Sequence, residues 1–454
     1  MPTSINPATG QTLAEYPPMS PAEIKQAIAA ADRAFLHWRR TAFAERATLT
    51  RALAGLLRER AGVLAELMAQ EMGKPVTAGV AEIEKCALAC DYYAEHAERF
   101  LADQVVATDA ARSYVTHQPL GVVLAIMPWN FPFWQVLRFA APTLMAGNVA
   151  VLKHAGNVTG CALAIEAAFR EAGFPHGVFT TLLADGAQAR AAIRHPKVRA
   201  VSLTGSTLAG RDVARVAGAR LKKTVLELGG SDPYLILEDA DLEQAAVICA
   251  KARLVNSGQS CIAAKRFIVV APVREEFEQL LVAQMAAARM GDPQDPETDV
   301  GPQARHDLRD ALHDQVTRSI AKGARLLLGG QVPEGPGAYY PPTVLTSVAK
   351  GMPAWSEELF GPVAAVIPAR NERAAIQIAN SSVFGLGAAV FTLDRDRGER
   401  IAATELEAGS CFVNTFVRSD PRLPFGGIKE SGYGRELGRA GILEFVNQKT
   451  VFLA

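Results

Sequence analysis

The sequence has 454 residues, and its 47 Lys and Arg residues are balanced by 47 Asp and Glu residues. This length exceeds what a single hydrophobic core normally supports, so two or more domains are expected. The zero net charge gives no basic surface for nucleic acid and no acidic surface for cationic partners, which argues against a partner bound by charge.

The six cysteines are scattered, with neither a CxxC pair nor a His spacing typical of zinc, so no metal site is predicted. Cys86 and Cys90 would share one helix face, but without two further ligands we interpret them as core residues. Scattered thiols indicate a reducing, cytoplasmic compartment. The N-terminal residues carry neither a basic start nor an apolar run, and no apolar stretch reaches membrane-spanning length, so a soluble protein is predicted.

The chain opens with predicted helices to which we assign no chemistry. A capping box with proline at the first helical position, Ser20-Pro21-Ala22-Glu23, starts the first helix. The pattern predicts a second helix over residues 43–72, ended by Gly73-Lys74-Pro75, and a third over residues 78–101.

Short apolar strands then alternate with helices, which predicts parallel sheets covered on both faces. The predicted strands span residues 122–127, 149–152, 178–183, 198–203, 234–237, 267–270, 363–367, 388–391 and 410–413. The fold class is therefore α/β, with two domains joined near residues 226–230 and a cleft between them, where ligands commonly bind.

The segment Val-Asn-Ser-Gly-Gln-Ser-Cys-Ile, residues 255–262, contains the predicted nucleophile, Cys261. A predicted helix over 241–254 leads into it, and Gly258 allows a turn closed to other residues. A thiol just beyond such a turn can face a cleft. The alternative is that Cys261, like most free cysteines, is a small buried apolar residue.

Asn130 lies in Pro-Trp-Asn-Phe-Pro, directly after a predicted strand, where open α/β sheets bind ligands. Two prolines fix the backbone, and a rigidly held amide suits an oxyanion site, where each donor contributes roughly 2.7 to 4 kcal/mol. The alternative is a proline-rich turn in which the asparagine caps its own backbone.

The segment Thr204-Gly205-Ser206 joins a predicted strand to a helix start, where backbone N–H groups can bind a diphosphate. It is neither the G-x-G-x-x-G fingerprint nor a phosphate loop, so alone it is a weak signal. Glu227, in Leu-Glu-Leu-Gly-Gly, has an apolar setting that raises a carboxyl pKa and suits a general base. A structural hydrogen-bond acceptor is the alternative.

These motifs, with Glu357-Glu358-Leu359-Phe360-Gly361-Pro362 and Pro424-Phe425-Gly426-Gly427, occur in the order found in aldehyde dehydrogenases. The chain resembles that superfamily over nearly its whole length. It is most similar to the short bacterial succinate-semialdehyde dehydrogenases, through Leu-Lys-His-Ala-Gly-Asn-Val at 152–158 and the lack of an N-terminal extension.

The resemblance implies a mechanism that the residue chemistry supports. Cys261 would attack the aldehyde carbon, while Asn130 and the backbone N–H of Cys261 hold the oxyanion and hydride passes to a nicotinamide. Glu227 would then deprotonate a water that hydrolyses the thioester on Cys261 to the carboxylic acid.

The resemblance also implies a cofactor site, with NAD or NADP as the cofactor. Lys153 and Glu358 would bind ribose hydroxyls, Phe360 would pack beside the nicotinamide, and Ser206 would contact the diphosphate. The remaining implied cofactor residues are Trp129, Thr204 and Gly205. A solvated charge and a core aromatic are the alternatives for Lys153 and Phe360. NAD-preferring relatives often carry a glutamate at the position of Gly156, so NADP is allowed here, and Lys153 with His154 would favour it.

Arg138 matches a position where succinate-semialdehyde dehydrogenases carry an arginine for the substrate carboxylate, a role suited to bidentate hydrogen bonding. A helix-surface ion pair is the alternative. The family's second arginine is replaced by Val255, and four residues could compensate for it: Arg253, Arg418, Ser419 and Arg422. Of these we include Ser419 in the predicted substrate site.

The domains implied by the resemblance are a Rossmann-like NAD(P)-binding domain at 1–111 and 120–226, and a catalytic domain at 227–429. Residues 112–119 and 430–454 would form a small oligomerisation β-segment, since the apolar strand at 450–453 would otherwise leave an exposed edge. In the family this strand joins a neighbouring subunit's sheet, and a hairpin near 112–119 helps to form the dimer. A homodimer or homotetramer is therefore expected.

Four functions remain in competition at this level. The first is hydrolytic oxidation of succinic semialdehyde, and the second is broad-specificity or other short-chain aldehyde oxidation. A coenzyme-A-acylating relative is disfavoured because Glu227 is present. A non-catalytic nucleotide-binding homologue is disfavoured because Cys261, Glu227 and Asn130 occur together.

Overall fold

The structure is a computed structural model that describes residues 3–454. Its helices, in chain order, are α1 (Pro21–Trp38), α2 (Phe43–Glu59), α3 (Ala61–Met72), α4 (Val76–Phe100), α5 (Trp134–Met145), α6 (Thr159–Glu171), α7 (Gly186–Arg194), α8 (Thr207–Gly218), α9 (Leu242–Leu254), α10 (Arg274–Ala287), α11 (His306–Ala321), α12 (Pro353–Ser356), α13 (Glu372–Asn380), α14 (Arg395–Arg400) and α15 (Gly438–Leu443). Its strands are β1 (Thr3–Ile5), β2 (Thr12–Glu15), β3 (Gln104–Val105), β4 (Arg112–Pro119), β5 (Val122–Met127), β6 (Val149–His154), β7 (Phe179–Thr181), β8 (Val198–Thr204), β9 (Lys223–Glu227), β10 (Pro233–Ile236), β11 (Arg266–Val270), β12 (Arg325–Leu328), β13 (Thr343–Thr346), β14 (Val363–Ala369), β15 (Phe384–Gly385), β16 (Gly387–Phe391), β17 (Ser410–Val413), β18 (Ile428–Lys429), β19 (Gly432–Tyr433) and β20 (Val446–Leu453).

The N-terminal helices begin and end largely where the sequence predicts. The predicted capping box is present at the start of α1, where Ser20 and Glu23 each bond the other's backbone N–H. Gly73, with φ of 76°, ends α3 in the left-handed conformation that glycine favours. The prediction of one helix over 43–72 is wrong, because the chain breaks at Arg60 into α2 and α3. Neither proline nor glycine stands at Arg60 itself, and both α2 and α3 pack on α4.

The first large sheet has six strands in the order β19-β9-β8-β5-β6-β7. All neighbours except the β19–β9 pair run parallel. The chain moves outward from β5 through β6 to β7, then returns to the other side of β5 as β8. This reversal creates a topological switch point between β5 and β8, where ligands bind beyond the carboxyl ends of the strands.

The second large sheet has seven strands in the order β12-β13-β14-β11-β10-β16-β17. Alternate residues along β10 and the position after it are buried on opposite faces: Tyr234 and Ile236 join one apolar cluster, and Leu235 and Leu237 join another. The sequence missed β12 and β13, two short strands at the sheet edge whose pairing is non-local. The predicted α/β fold class, with parallel strands forming two sheets, is confirmed.

A third sheet, ordered β20-β4-β3, contains the predicted 112–119 segment as β4 and the last part of the predicted 430–454 segment as β20, whereas β19 of that second segment joins the first large sheet. The final strand is longer than predicted, because β20 pairs antiparallel with β4 from Val446 opposite Pro119 to Leu453 opposite Arg112. One edge of β20 is thus paired within the chain, and β4 and β3 form a hairpin. β20 lies at the edge of this sheet and exposes the side chains of Phe452 and Leu453.

Within residues 3–454, none of the helices combines the length and apolar character needed to cross a membrane. The same residues contain no group of three or more His, Cys, Asp or Glu side chains placed to hold a metal ion.

Candidate active site

The loop that carries Cys261 has a strained backbone. Asn256 and Ser257 have φ of 54° and 55°, a left-handed conformation that is rare for residues other than glycine, and Gly258 has φ of 74°. A Cβ on Gly258 would lie 2.2 Å from the carbonyl carbon of Gly361, so this loop is also in close contact with a second segment. Such strain persists where surrounding contacts over-determine it, and it is common in active sites.

Hydrogen bonds from three side chains hold this loop. The Nδ2 of Asn256 donates to the carbonyl oxygen of Asn130 at 2.7 Å, and Oγ of Ser257 accepts from the N–H of Gly301 at 2.9 Å. Arg253 is fully buried and donates to the carbonyl oxygen of Gly258 at 2.6 Å. Arg253 therefore supports the loop, and because it does not line the cavity that holds Arg138 and Ser419, the prediction that it could compensate for the missing substrate arginine is wrong.

Lys265 is a site residue that the sequence analysis missed. Its buried ammonium donates to the carbonyl oxygens of Ser260, Cys261 and Ala263 at 3.0, 2.9 and 3.1 Å. Three carbonyl oxygens of the turn that contains Cys261 therefore bind the same ammonium group. A lysine immediately before an apolar strand was the available signal, but a solvated surface charge gives the same pattern.

Cys261 lies between two cavities. One has a volume of about 240 Å³ and is lined by residues that follow β5 and β8, and the other has a volume of about 150 Å³ and is lined by α4, α5 and the 416–419 segment. Among residues 3–454, Cys261 alone lines both cavities. A thiol at this junction can reach one molecule in each cavity, so the prediction that Cys261 faces a cleft is correct.

The Cys261 thiol is protonated at neutral pH in this state. Burial raises its pKa to about 12, against the opposing effect of the positive charges of Arg138 and Lys265. Because the thiolate is the nucleophile, the sulfur must lose its proton during attack. The positive charges of Arg138 and Lys265 favour loss of the Cys261 proton.

Two N–H donors are available for an oxyanion near Cys261. Within the described chain, no protein acceptor is recorded for the backbone N–H of Cys261. The Nδ2 of Asn130 donates one hydrogen to the carbonyl oxygen of Gln259 at 3.0 Å, which leaves the second hydrogen for a ligand. Asn130 lines the 240 Å³ cavity beside Cys261.

Glu227 ends β9 and is fully buried. Neither carboxyl oxygen has a hydrogen-bond partner among residues 3–454, and a Cβ on Gly426 would lie 2.7 Å from Oε1. Burial, followed by the negative charge of Glu436, raises the Glu227 pKa well above its ordinary value. A carboxyl with a raised pKa and free oxygens is suited to hold or accept a proton near neutral pH.

Arg138, on α5, lies in the 150 Å³ cavity with Cys261. Its Nε forms a buried ion pair with Glu436, and its Nη2 donates to Oγ1 of Thr204 at 3.2 Å. Its guanidinium carbon lies 5.0 Å from the centroid of the Phe425 ring. The alternative interpretation predicted an ion pair on the helix surface. Arg138 does form an ion pair, but the pair is buried. Sequence reasoning missed Glu436, which lies far from Arg138 in the chain.

The 240 Å³ cavity lies at the switch point of the first sheet. Ser206 caps α8 by accepting from the N–H of Ala209 at 3.3 Å, which points the helix N-terminus at the cavity. The rings of Trp129 and Phe360 meet edge to face, with centroids 5.7 Å apart. The predicted cofactor residues Trp129, Thr204, Gly205, Ser206, Glu358 and Phe360 all line this cavity.

The carboxyl group of Glu358 packs directly against the backbone at Gly229 and Gly230. Oε1 of Glu358 accepts from the N–H of Gly230 at 2.9 Å, and a Cβ on Gly229 would lie 2.4 Å from Oε2. Glycine is therefore required where the carboxylate rests. An aromatic wall, a helix N-terminus and a fixed carboxylate fit the nicotinamide, diphosphate and ribose of a dinucleotide.

Lys153 lies at the carboxyl end of β6, paired in register with Ile126 of β5. Lys153 is partly buried and has no carboxylate within 4 Å among residues 3–454. Unlike the other predicted cofactor residues, it does not line the 240 Å³ cavity. His154 is buried, and its ring nitrogen bonds the carbonyl oxygen of Pro132 at 2.9 Å. Burial lowers its pKa to about 4, so His154 is neutral. Of the two residues predicted to favour NADP, His154 therefore supplies no positive charge, which leaves Lys153 as the one that can act through its charge.

The 150 Å³ cavity adds Lys85, which sequence reasoning did not find. Its Nζ donates to Oγ of Ser419 at 2.7 Å, and the predicted Ser419 lines the cavity with Arg418. Arg422 pairs with Asp420, is largely exposed and does not line the cavity. A lysine within an ordinary amphipathic helix gave no signal that would have found Lys85.

Comparison with known proteins agrees with this geometry. The model of the aldehyde dehydrogenase family matches residues 2–451. The chain belongs to the aldehyde dehydrogenase family. The resemblance drawn from its motifs is confirmed, and so is the prediction of an enzyme that oxidises aldehydes with NAD or NADP.

Relatives of this aldehyde dehydrogenase have matching lengths. A Synechocystis protein named probable succinate-semialdehyde dehydrogenase [NADP(+)] is 51% identical over 451 residues, which cover 99% of each chain. Succinate-semialdehyde dehydrogenase [NADP(+)] 1 of Mycobacterium tuberculosis is 48% identical over 454 residues, with the same coverage. The crystal structure of succinic semialdehyde dehydrogenase from Streptococcus pyogenes in complex with NADP+ is 37% identical, covers 100% of both chains and superposes with a TM-score of 0.98.

Proposed function

We propose that this aldehyde dehydrogenase oxidises succinic semialdehyde to succinate, with NADP as the preferred cofactor. The observation that carries the proposal is the 150 Å³ cavity beside Cys261, which three cationic side chains line: Lys85, Arg138 and Arg418. A short aldehyde with a distal carboxylate complements such a cavity, whereas an uncharged aldehyde gains nothing from its charge. The names of the relatives above support the same substrate.

The residues around Cys261 have distinct roles in this reaction. The Cys261 thiol loses its proton to solvent and the sulfur bonds to the aldehyde carbon, whose oxygen gains negative charge that the N–H of Cys261 and the amide of Asn130 stabilise. The nicotinamide, when bound, supplies the hydride acceptor. A thioester on Cys261 is then hydrolysed by a water whose proton passes to Glu227, and cleavage of the carbon–sulfur bond releases succinate and the thiol.

Residues near the ribose position support NADP. Gly156 begins the turn after β6 and carries no charge, so no carboxylate there repels a 2'-phosphate. Lys153 has no ion-pair partner among the described residues, so its ammonium is available to bind a 2'-phosphate. NADP therefore fits these residues at least as well as NAD.

We also propose a cytoplasmic homo-oligomer. All six cysteines are free, which is consistent with a reducing compartment. The outer edge of β20 carries the exposed apolar residues Phe452 and Leu453, and a strand edge of this kind favours pairing with a second copy.

The test is the rate of nicotinamide reduction with purified enzyme, comparing succinic semialdehyde with butyraldehyde, each with NAD and with NADP. We expect kcat/KM to favour the semialdehyde by at least about tenfold, or roughly 1.4 kcal/mol of transition-state discrimination. Equal values for the two aldehydes would overturn the substrate proposal. A requirement for coenzyme A would instead favour an acylating enzyme, and no turnover with any aldehyde would favour a non-catalytic homologue.

A further inference from the structure

Lys85 lies on α4 and lines the 150 Å³ cavity, as does Ala252 of α9, the helix that leads into the Cys261 loop. Its Nζ donates to Oγ of Ser419 at 2.7 Å and lies 4.3 Å from the centroid of the Trp134 ring. The hydroxyl and the aromatic ring hold the ammonium in one place. Lys85 and Cys261 line the same cavity.

The Lys85 ammonium has no carboxylate within 4 Å among residues 3–454. Glu82, one turn earlier on α4, pairs with Lys74 and accepts from the N–H groups of Phe133 and Trp134, both at 2.9 Å. Asp420, on the neighbouring loop, pairs with Arg422. Both nearby acids are therefore engaged elsewhere.

An ammonium has three donor hydrogens, and Ser419 accepts one of them. Partial burial of a charge without a counter-ion is costly. Consistent with that cost, burial and the charge of Arg138 lower the Lys85 pKa to about 8. An anion bound in the cavity would remove the cost and use the free donors.

Of the other cations of the region, Arg138 and Arg253 are less available to an anion, whereas Arg418 has no carboxylate within 4 Å among residues 3–454. The charge of Arg138 is balanced by Glu436 in a buried ion pair. Arg253 donates to the carbonyl oxygen of Gly258 and does not line the cavity. Val255 contributes an apolar side chain to the cavity. Arg418 lines the cavity, with its guanidinium carbon 6.0 Å from the centroid of the Phe416 ring.

We infer that Lys85, with Ser419, binds the distal carboxylate of the aldehyde substrate and sets the preference for ω-carboxylated aldehydes. The inference rests on the proposed function, because it assigns the carboxylate of that substrate to one side chain. Arg138 then acts mainly on the reacting groups, through its ion pair with Glu436 and its positive charge beside the Cys261 thiol.

The charged and titratable groups around Lys85 come from three elements. Glu82 and Cys86 lie on α4 with it, Arg138 lies on α5, and Arg418 and Asp420 lie on the 416–422 segment. Deprotonation of Lys85 as pH rises through about 8 removes the positive charge that binds carboxylate. KM for the carboxylated aldehyde should therefore rise above that pH, while KM for butyraldehyde should not.

The test compares Lys85→Met, which keeps an apolar stem of similar length, with Lys85→Arg, which keeps the charge. In Lys85→Met we expect KM for succinic semialdehyde to rise at least about tenfold, with kcat/KM for butyraldehyde changing less than about twofold. Lys85→Arg should recover most of the affinity, and the alkaline rise in KM should disappear in Lys85→Met. Lys350→Met, which removes an exposed lysine, is the matched control for loss of one charge.

The outcomes separate this inference from the proposed function. If the unmodified enzyme prefers the semialdehyde and Lys85→Met retains that preference, the Lys85 assignment is wrong and the function stands. If the unmodified enzyme shows no preference, the proposed substrate fails. Equal losses with both aldehydes would mean that Lys85 only supports the fold, and a thermal melting curve of each variant identifies that case.

Discussion

Arg138 and Glu436 form an ion pair in which the side chains are only 2% and 5% exposed. The carboxyl of Glu227 lies close enough that the charge of Glu436 raises its pKa and the charge of Arg138 lowers it. Breaking a buried ion pair by removing one partner is strongly destabilising, since the other charge is left uncompensated. This pair therefore couples the stability of the site to the proton affinity of Glu227.

Replacement of Glu436 by glutamine should shift the pH dependence of turnover. Without the Glu436 charge, the repulsion on Glu227 is lost and the charge of Arg138 is unbalanced, so the Glu227 pKa should fall. The acid limb of the kcat profile should move to lower pH, and the free energy of unfolding should drop by about 3 kcal/mol. Glu430→Gln, at an exposed ion pair, is the control and should change neither. An unmoved acid limb would show that Glu436 does not influence the base.

Glu227→Gln should separate the two halves of the reaction. The amide cannot accept a proton from water, so thioester hydrolysis should slow by at least about a hundredfold while the first turnover still reduces cofactor. Rapid mixing should show a burst of reduced nicotinamide followed by a slow steady state. Because only the ionised carboxyl acts as a base, the unmodified rate should rise with pH through the raised Glu227 pKa, and the variant should lose that rise. An unchanged steady-state rate would remove Glu227 from the role.

Cys261→Ala should reduce aldehyde oxidation by at least about a thousandfold, since no bond to the substrate carbon can form. The burst should vanish along with the steady state, in contrast to Glu227→Gln. Cofactor binding, measured by protein fluorescence, should persist because the residues of the 240 Å³ cavity are untouched. Turnover retained in this variant would refute the nucleophile assignment.

Gly258→Ala should destabilise the enzyme by about 3 kcal/mol or more, which is at or above the upper end of the usual range for a point substitution. Its φ of 74° is unfavourable for alanine, and the added Cβ would lie 2.2 Å from backbone atoms of Gly361. Gly55→Ala is the matched control, because Gly55 lies inside α2 with no atom within 4 Å of a new Cβ. The control should gain about 1 kcal/mol from helix propensity. Denaturant unfolding of both variants measures the difference, and equal stabilities would show that the loop can relax.

Gly156→Glu should change the choice of cofactor. A carboxylate introduced after β6 would repel the 2'-phosphate of NADP, so kcat/KM with NADP should fall by about tenfold or more while the NAD value changes little. Gly156→Gln, of similar size without charge, distinguishes repulsion from bulk. If the Gln and Glu variants behave alike, steric hindrance and not charge would explain the result.

The sequence by itself determined the α/β fold, most strands of both large sheets, and the set of motifs around Cys261, Glu227 and Asn130. These features are local, since apolar runs of strand length and turn residues such as Gly73 and Gly258 act through their own backbone preferences. The resemblance to aldehyde dehydrogenases rests on ordered motifs of the same kind.

Tertiary structure alone decided which charges are free. Arg138, Arg253 and Lys85 are three cations in helices, and nothing in their neighbourhood along the chain shows that Glu436, the carbonyl oxygen of Gly258 and Ser419 are their respective partners. It also broke the predicted 43–72 helix at Arg60 and paired β20 with β4. Partners brought together from distant parts of the chain fix burial and counter-charge, and these two quantities set which side chain can hold a proton or bind an anion.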